Sequence, residues 1–248
     1  MAALRPHLNN APAREALIDI KFEPHIPLEV VRRFAEQATP HFEKRTELFD
    51  AFFGFTPDGS ATTANQTLTG WRLDCQRTHY VLMCRVDSFT VSRLSPYGRW
   101  EELREEASKW WNTFLDMASP SVVTRVAVRY VNAIKLPLPL ESFEEYLSCP
   151  PRIPNELPQA ASAFIQRVVL PDEARNCTSV VTQALEESPV RQGNGDSITV
   201  LLDIDVFRST RIERRRFGEL WGALDELRDQ KNRLFFSHLT EKTLEMFI

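Results

Sequence analysis

DSFTV, Asp87 to Val91, returns almost unchanged as DSITV, Asp196 to Val200. If both are one strand of a module written twice, the chain of 248 residues divides into halves with a common order of elements. A second short match agrees with that division. PLE stands at Pro27 to Glu29 and again at Pro139 to Glu141, 60 and 57 residues before the respective DS-x-TV strand.

Reading outward from these anchors, ALIDIKF (Ala16 to Phe22) alternates apolar and polar residues, the period of a half-buried strand. HIPLEVVRRFAEQA follows, with Pro27 at a helix start and Leu28, Val31, Phe34 and Ala35 as its apolar stripe. A turn-rich segment, Thr56 to Thr67, leads into three strand-like runs: Gly70 to Cys75, His79 to Val86 and Ser88 to Leu94. RWEELREEASKWWNTFLDMA then reads as a helix, with Trp100, Leu103, Ala107, Trp110, Phe114 and Met117 on one face, ended by Ser119-Pro120.

The second half repeats the order. VTRVAVRYVNAIKL reads as a strand and LPLESFEEYL as a short helix. AFIQRVVL, CTSVVTQALE and DSITVLLDIDVF read as three strands, the last entered through a turn at Gly193-Asn194-Gly195. Thr210 and Glu213 have capping-box spacing, which starts a second amphipathic helix there with Phe217, Leu220, Leu224 and Leu227 on one face. The expected architecture is α+β: two β-α-β-β-β-α halves, residues 1–119 and 120–248, as antiparallel sheets with helices packed on one face. Pro137, Pro139, Pro150, Pro151, Pro154 and Pro158 mark the connection between the halves, read as an inter-repeat crossover loop with a polyproline ligand as the alternative.

Composition narrows the function classes. With 43% apolar residues, 26% charged residues and a net charge of −4, the chain has no global basic field of the kind that nucleic-acid binders carry. No apolar run has the length of a signal peptide or a membrane span, and the four cysteines have no paired spacing, so a cytoplasmic, reduced protein is expected. Phosphate-loop, nucleophile-elbow and zinc-helix patterns are missing, and the five histidines are isolated. Neither metal nor cofactor is expected.

Three features carry binding chemistry. Asp203 and Asp205 alternate with an apolar face in the last strand, as Arg125 and Arg129 do in the central one, with Asp19, Lys21, Arg85 and Arg93 in comparable places. Converging, they would hold an anionic ligand through arginine forks, or a cation between Asp203 and Asp205; unconverged, they are the wet side of a sheet. Arg208, Arg211, Arg214, Arg215 and Arg216 crowd the expected helix start, where cations oppose the dipole unless an anion or an acidic surface compensates. The tail FFSHLTEKTLEMFI, including Phe247, is too apolar to fray and should dock on the core or on a partner.

EALIDIKF, SRLSPYGRWEEL (Ser92 to Leu103), VRYVNAIKLPLP (Val128 to Pro139) and KNRLFFSHLTEKTLEMF (Lys231 to Phe247) together resemble a sporadically distributed family of uncharacterised bacterial proteins of about this length. The resemblance spans nearly the whole chain and includes no catalytic signature. It implies a bacterial protein of patchy occurrence, such as an accessory of a defence or toxin–antitoxin module. It adds Arg93, Tyr97, Arg129, Tyr130, Asn132 and Asn232 as site candidates beside Asp203.

The expectation is thus a non-enzymatic binding protein that recognises another protein, with Arg208, Arg211, Arg214, Arg215, Arg216 and Phe247 in contact. A homodimer is compatible with it. A second reading is a small anionic-ligand binder or enzyme on the sheet face around Arg129, Asn132 and Asp203. A third is nucleic-acid binding through the arginine cluster.

Overall fold

Strands β1 (Ala13–Glu23) and β6 (Val122–Pro137) form the seam of the molecule. Ala16, Ile18, Ile20 and Phe22 of β1 are buried on one face, as are Val126, Val128, Tyr130 and Ile134 of β6. The two strands run antiparallel with Ile18 opposite Val128 and Ile20 opposite Val126. A one-residue slip would turn every one of these side chains to solvent, which holds the register.

The structure is a computed structural model that describes residues 8–54, 63–154, 156–157, 161–186 and 197–248. Beside β1 lie β5 (Ser88–Leu94), β4 (Tyr80–Arg85), β3 (Thr63–Cys75) and β2 (Lys44–Gly54). Beside β6 lie β9 (Ser197–Glu213), β8 (Cys177–Leu185) and β7 (Ile165–Asp172). The result is one nine-stranded sheet, β2-β3-β4-β5-β1-β6-β9-β8-β7, with neighbours antiparallel throughout. Helices α1 (Leu28–Ala38), α2 (Trp100–Met117) and α3 (Glu219–His238) cover one face, and α4 (Glu241–Glu245) closes the chain. The protein is therefore α+β.

The core is thickest under α2. Its stripe Trp100, Leu103, Ala107, Trp110, Trp111 and Phe114 is buried at helical spacing. The Phe114 ring lies 5.2 Å from Phe34 of α1 and 5.6 Å from Phe22 of β1. Trp111 reaches Phe89 of β5 at 5.4 Å and Phe217, just before α3, at 5.8 Å. The open face of the sheet carries charge instead, including Asp19, Arg125, Arg129, Asp203 and Asp205.

Several sequence expectations are corrected here. Residues 44–54, unread in the sequence, form β2, so the first half holds four strands between its helices rather than three. LPLESFEEYL forms only a one-turn 3-10 helix, Phe143–Glu145, because prolines crowd its entry. No helix starts at Thr210. Pairing with β6 carries β9 on to Glu213 opposite Val122, so sheet hydrogen bonding overrides the local capping signal. A one-turn 3-10 helix, Arg214–Arg216, follows, and α3 begins at Glu219 with Leu220, Leu224 and Leu227 buried as expected. The expected turn at Gly193 to Gly195, Asp196 of the repeated strand, and Pro158 lie outside the described residues.

Candidate functional site

The charged sheet face converges, but on itself. Arg129 donates from Nε and Nη2 to both Asp203 oxygens at 2.8 and 2.6 Å, which raises its basicity above that of a free guanidinium. Arg125 joins Asp19 at 2.8 Å and Asp205 at 3.4 Å, while the Thr90 hydroxyl donates to Asp19 at 2.8 Å. Burial raises the Asp205 carboxyl against the lowering effect of Arg125 and Arg129. Solvent-accessible pairs of this kind contribute on the order of 1 kcal/mol or less each, although those of Arg125 are largely buried, and both guanidinium groups are already engaged. The surface is a neutralised lattice across β1, β6 and β9.

Two of the expected members of that face are not on it. Asn132 stands three residues from Arg129, hence on the helix-covered side, where it is 3% exposed and donates to the Leu202 carbonyl at 2.9 Å. Arg93 also lies on the covered side, over the Tyr80 ring at 4.9 Å, and donates to the Pro96 carbonyl at 3.2 Å. Arg85 does face the open side but is held by Asp50 and Thr69 at 2.7 and 2.8 Å. Lys21 is exposed there.

Tyr97 and Tyr130 meet, their hydroxyls 2.6 Å apart, beneath α3. The Lys231 ammonium sits 3.6 Å from the centre of the Tyr130 ring, a cation–π contact that adds to the packing. Asn232, the next residue, is half-buried on α3. Burial pushes the Tyr97 phenol up to about 12 and raises Tyr130 well above the ordinary value. The folded state thus keeps protons that unfolded tyrosines release near pH ~10, so stability falls as pH rises through that value. A Tyr97→Phe/Tyr130→Phe variant should show a shallower alkaline loss in urea midpoint than the parent chain. An unchanged slope would mean that the pair is not the titrating element.

The arginine cluster is dispersed by the extension of β9. Arg214 donates to the carbonyls of Leu115 and Ala118 at 3.3 and 3.4 Å, where a cation suits the C-terminal end of α2. Arg215 pairs with Glu213 at 3.1 Å and Arg216 with Glu219 at 2.6 Å. Arg211 is exposed beside Glu23 and His25. The helix-dipole penalty expected from the sequence therefore does not arise. Phe247 is 9% exposed and packs in the chain's own core, so its ring presents no partner-binding surface.

Arg208 is the exception. It follows the parity of Val206 onto the covered side, leaves the cluster and enters a pocket of about 540 Å³. The pocket lies between the β7–β8 corner and α3, lined by Arg175, Cys177, Arg208, Glu226, Gln230 and Arg233 among others. Asn176, at φ 48°, turns the corner. Arg208 holds the Arg175 and Asn176 carbonyls at 3.1 and 2.9 Å and Glu226 at 2.7 Å.

Beside this corner runs the edge strand β7. Ile165, Val168, Val169 and Leu170 are 76%, 38%, 49% and 40% exposed. Ile165 and Val169 stand on the open side of the sheet, Val168 and Leu170 on the covered side, so both faces are apolar and bare. The opposite edge, β2, exposes Phe49 but flanks it with exposed Lys44, Arg45, Glu47 and Asp50, charges that discourage strand pairing. Arg175, Arg233 and the β7 side chains were not singled out by sequence. AFIQRVVL reads as a strand, but nothing in it tells an edge from an interior position.

No protein-family model matches the chain, and no curated protein is found to match it. Among the described residues, no helix is long and apolar enough to cross a membrane, and no group of three or more His, Cys, Asp or Glu side chains is placed to hold a metal ion.

Proposed function

We propose that this chain is a binding protein whose β7 edge receives an extended strand of another protein. The observation that carries the reading is the contrast between the two sheet edges: over residues 44–51 β2 sets Lys44, Arg45, Glu47 and Asp50 around a single exposed large apolar residue, Phe49, whereas β7 exposes four large apolar side chains on both faces beside unpaired backbone groups. Strand addition supplies main-chain hydrogen bonds for affinity and side-chain contacts on both faces for specificity. Arg167 sets the chemistry of the partner. In antiparallel self-pairing centred on Val168 or Val169, Arg167 would face Val169 or Pro171 and stay uncompensated. A heterologous strand with an acidic residue opposite Arg167 and apolar neighbours fits better.

Burial raises the Cys84 thiol to about 12 and also raises Cys177, leaving both protonated and poorly nucleophilic. On this reading the protein works in the reducing cytoplasm. We also infer that the two halves descend from one duplicated unit. Each half sets its first strand beside its DS-x-TV strand, β1 with β5 and β6 with β9, in mirrored order about the seam. The extra strand β2 and the lost helix before β7 would be later divergence.

A charge-insertion variant tests the edge. Ile165→Lys/Val169→Lys changes two exposed side chains, so its melting temperature should stay within a few degrees of the parent. Partner capture from the native cytosol should fall at least roughly tenfold. Equal capture by both proteins would refute the docking edge, and a parent chain that dimerises through β7 would replace the heterologous partner with a second copy.

A further inference from the structure

We propose that the pocket at the β7–β8 corner binds a small organic carboxylate that also bears a hydroxyl or amino group. Guanidinium placement favours an anion. Arg175 is tied to Asp172 at 2.8 Å and Arg208 to Glu226 at 2.7 Å, so their charges are locally balanced. The guanidinium of Arg233 has no hydrogen bond or close ion pair with any described residue; it acts only at longer range on the Asp172 carboxylate and lines the same pocket, with Asp229 on the same wall. One planar fork with no bonded partner matches the geometry of one carboxylate.

Gln230 calls for a hydrogen-bond donor. This side chain is 8% exposed and lines the pocket, and its Oε1 is buried without a hydrogen-bond partner. A buried acceptor left unpaired is costly and calls for a donor from outside the chain. Gln230 and Arg233 stand three residues apart on α3 and therefore share a face, with Glu226 one turn before Gln230. A ligand whose carboxylate meets Arg233 and whose hydroxyl or amine donates to Gln230 satisfies both groups at once. Cys177, with its thiol held protonated by burial, contributes a wall rather than a nucleophile.

The test uses the isolated full-length chain without any partner, so its outcome is independent of the β7 reading. Arginine Nε–H and side-chain amide signals are followed by NMR during titration with lactate, with propionate (the same acid lacking the hydroxyl) and with inorganic phosphate. Lactate should move the Arg233 and Gln230 signals with an affinity roughly tenfold above that of propionate. Arg233→Gln should weaken lactate roughly tenfold, and Gln230→Leu should bring lactate down to the level of propionate. Preferential response to phosphate, equal affinity for the two acids, or no response to lactate at these side chains would overturn the proposal.

Discussion

Replacing Gly70 by alanine should cost about 3 kcal/mol or more, although it adds a single methyl group. Gly70 lies in β3 opposite Arg85 of β4. A Cβ built on it would sit 2.1 Å from the Cys84 carbonyl oxygen and 2.8 Å from the Arg85 Cα. Both are backbone atoms of the neighbouring strand, so no side-chain rotation can relieve the contact. The strands would have to separate next to the bulge between Leu48 and Phe49, where Thr69 already bonds the Leu48 carbonyl at 3.2 Å. Urea unfolding of Gly70→Ala reads the cost directly. A loss below about 1 kcal/mol would mean that the β3–β4 pair is looser than its spacing implies.

Phe114→Ala should be the most damaging truncation in the core, at about 3–5 kcal/mol. The ring is fully buried and lies within 5.2–5.8 Å of Phe22, Phe34, Phe89 and Trp111. Those four belong to β1, α1, β5 and α2, so Phe114 joins both first-half helices to the sheet beside the seam. Its removal leaves a cavity between rings too large to collapse together. Phe114→Leu, which keeps most of the volume, should cost less than half as much. Equal loss in both variants would show that aromatic geometry rather than volume holds this part of the core.

The strands and helices with a strong single period were legible in the sequence. The stripe of α2 and the alternation of β1, β8 and β9 come from burial on one face, and that pattern is written in residue order. β2 was missed because it is an edge: KRTELFD carries charge at both parities, so no period marks it. The true end of β9 depended on β6 lying beside it as far as Val122, a tertiary fact.

Within the candidate site the failures are of two kinds. Asn132 was grouped with Arg129 although an odd spacing in a strand puts them on opposite faces, and Arg208 was grouped with the following arginines although it shares the parity of Val206. Those placements were readable. The bare edge at β7 and the meeting of Arg208 with Gln230 and Arg233 were not, because strand order and the docking of α3 on β9 create them.

On the proposed reading, a partner adds a strand to β7. Backbone hydrogen exchange measured on the chain with and without its captured partner tests it most directly. In the free chain, the outward-pointing amides of Ile165–Asp172 are unpaired and should exchange fast. With partner bound, they should slow at least roughly tenfold, while exchange at the β2 edge, residues 44–51, stays unchanged. A partner that binds fully and leaves exchange across Ile165–Asp172 untouched would contradict it.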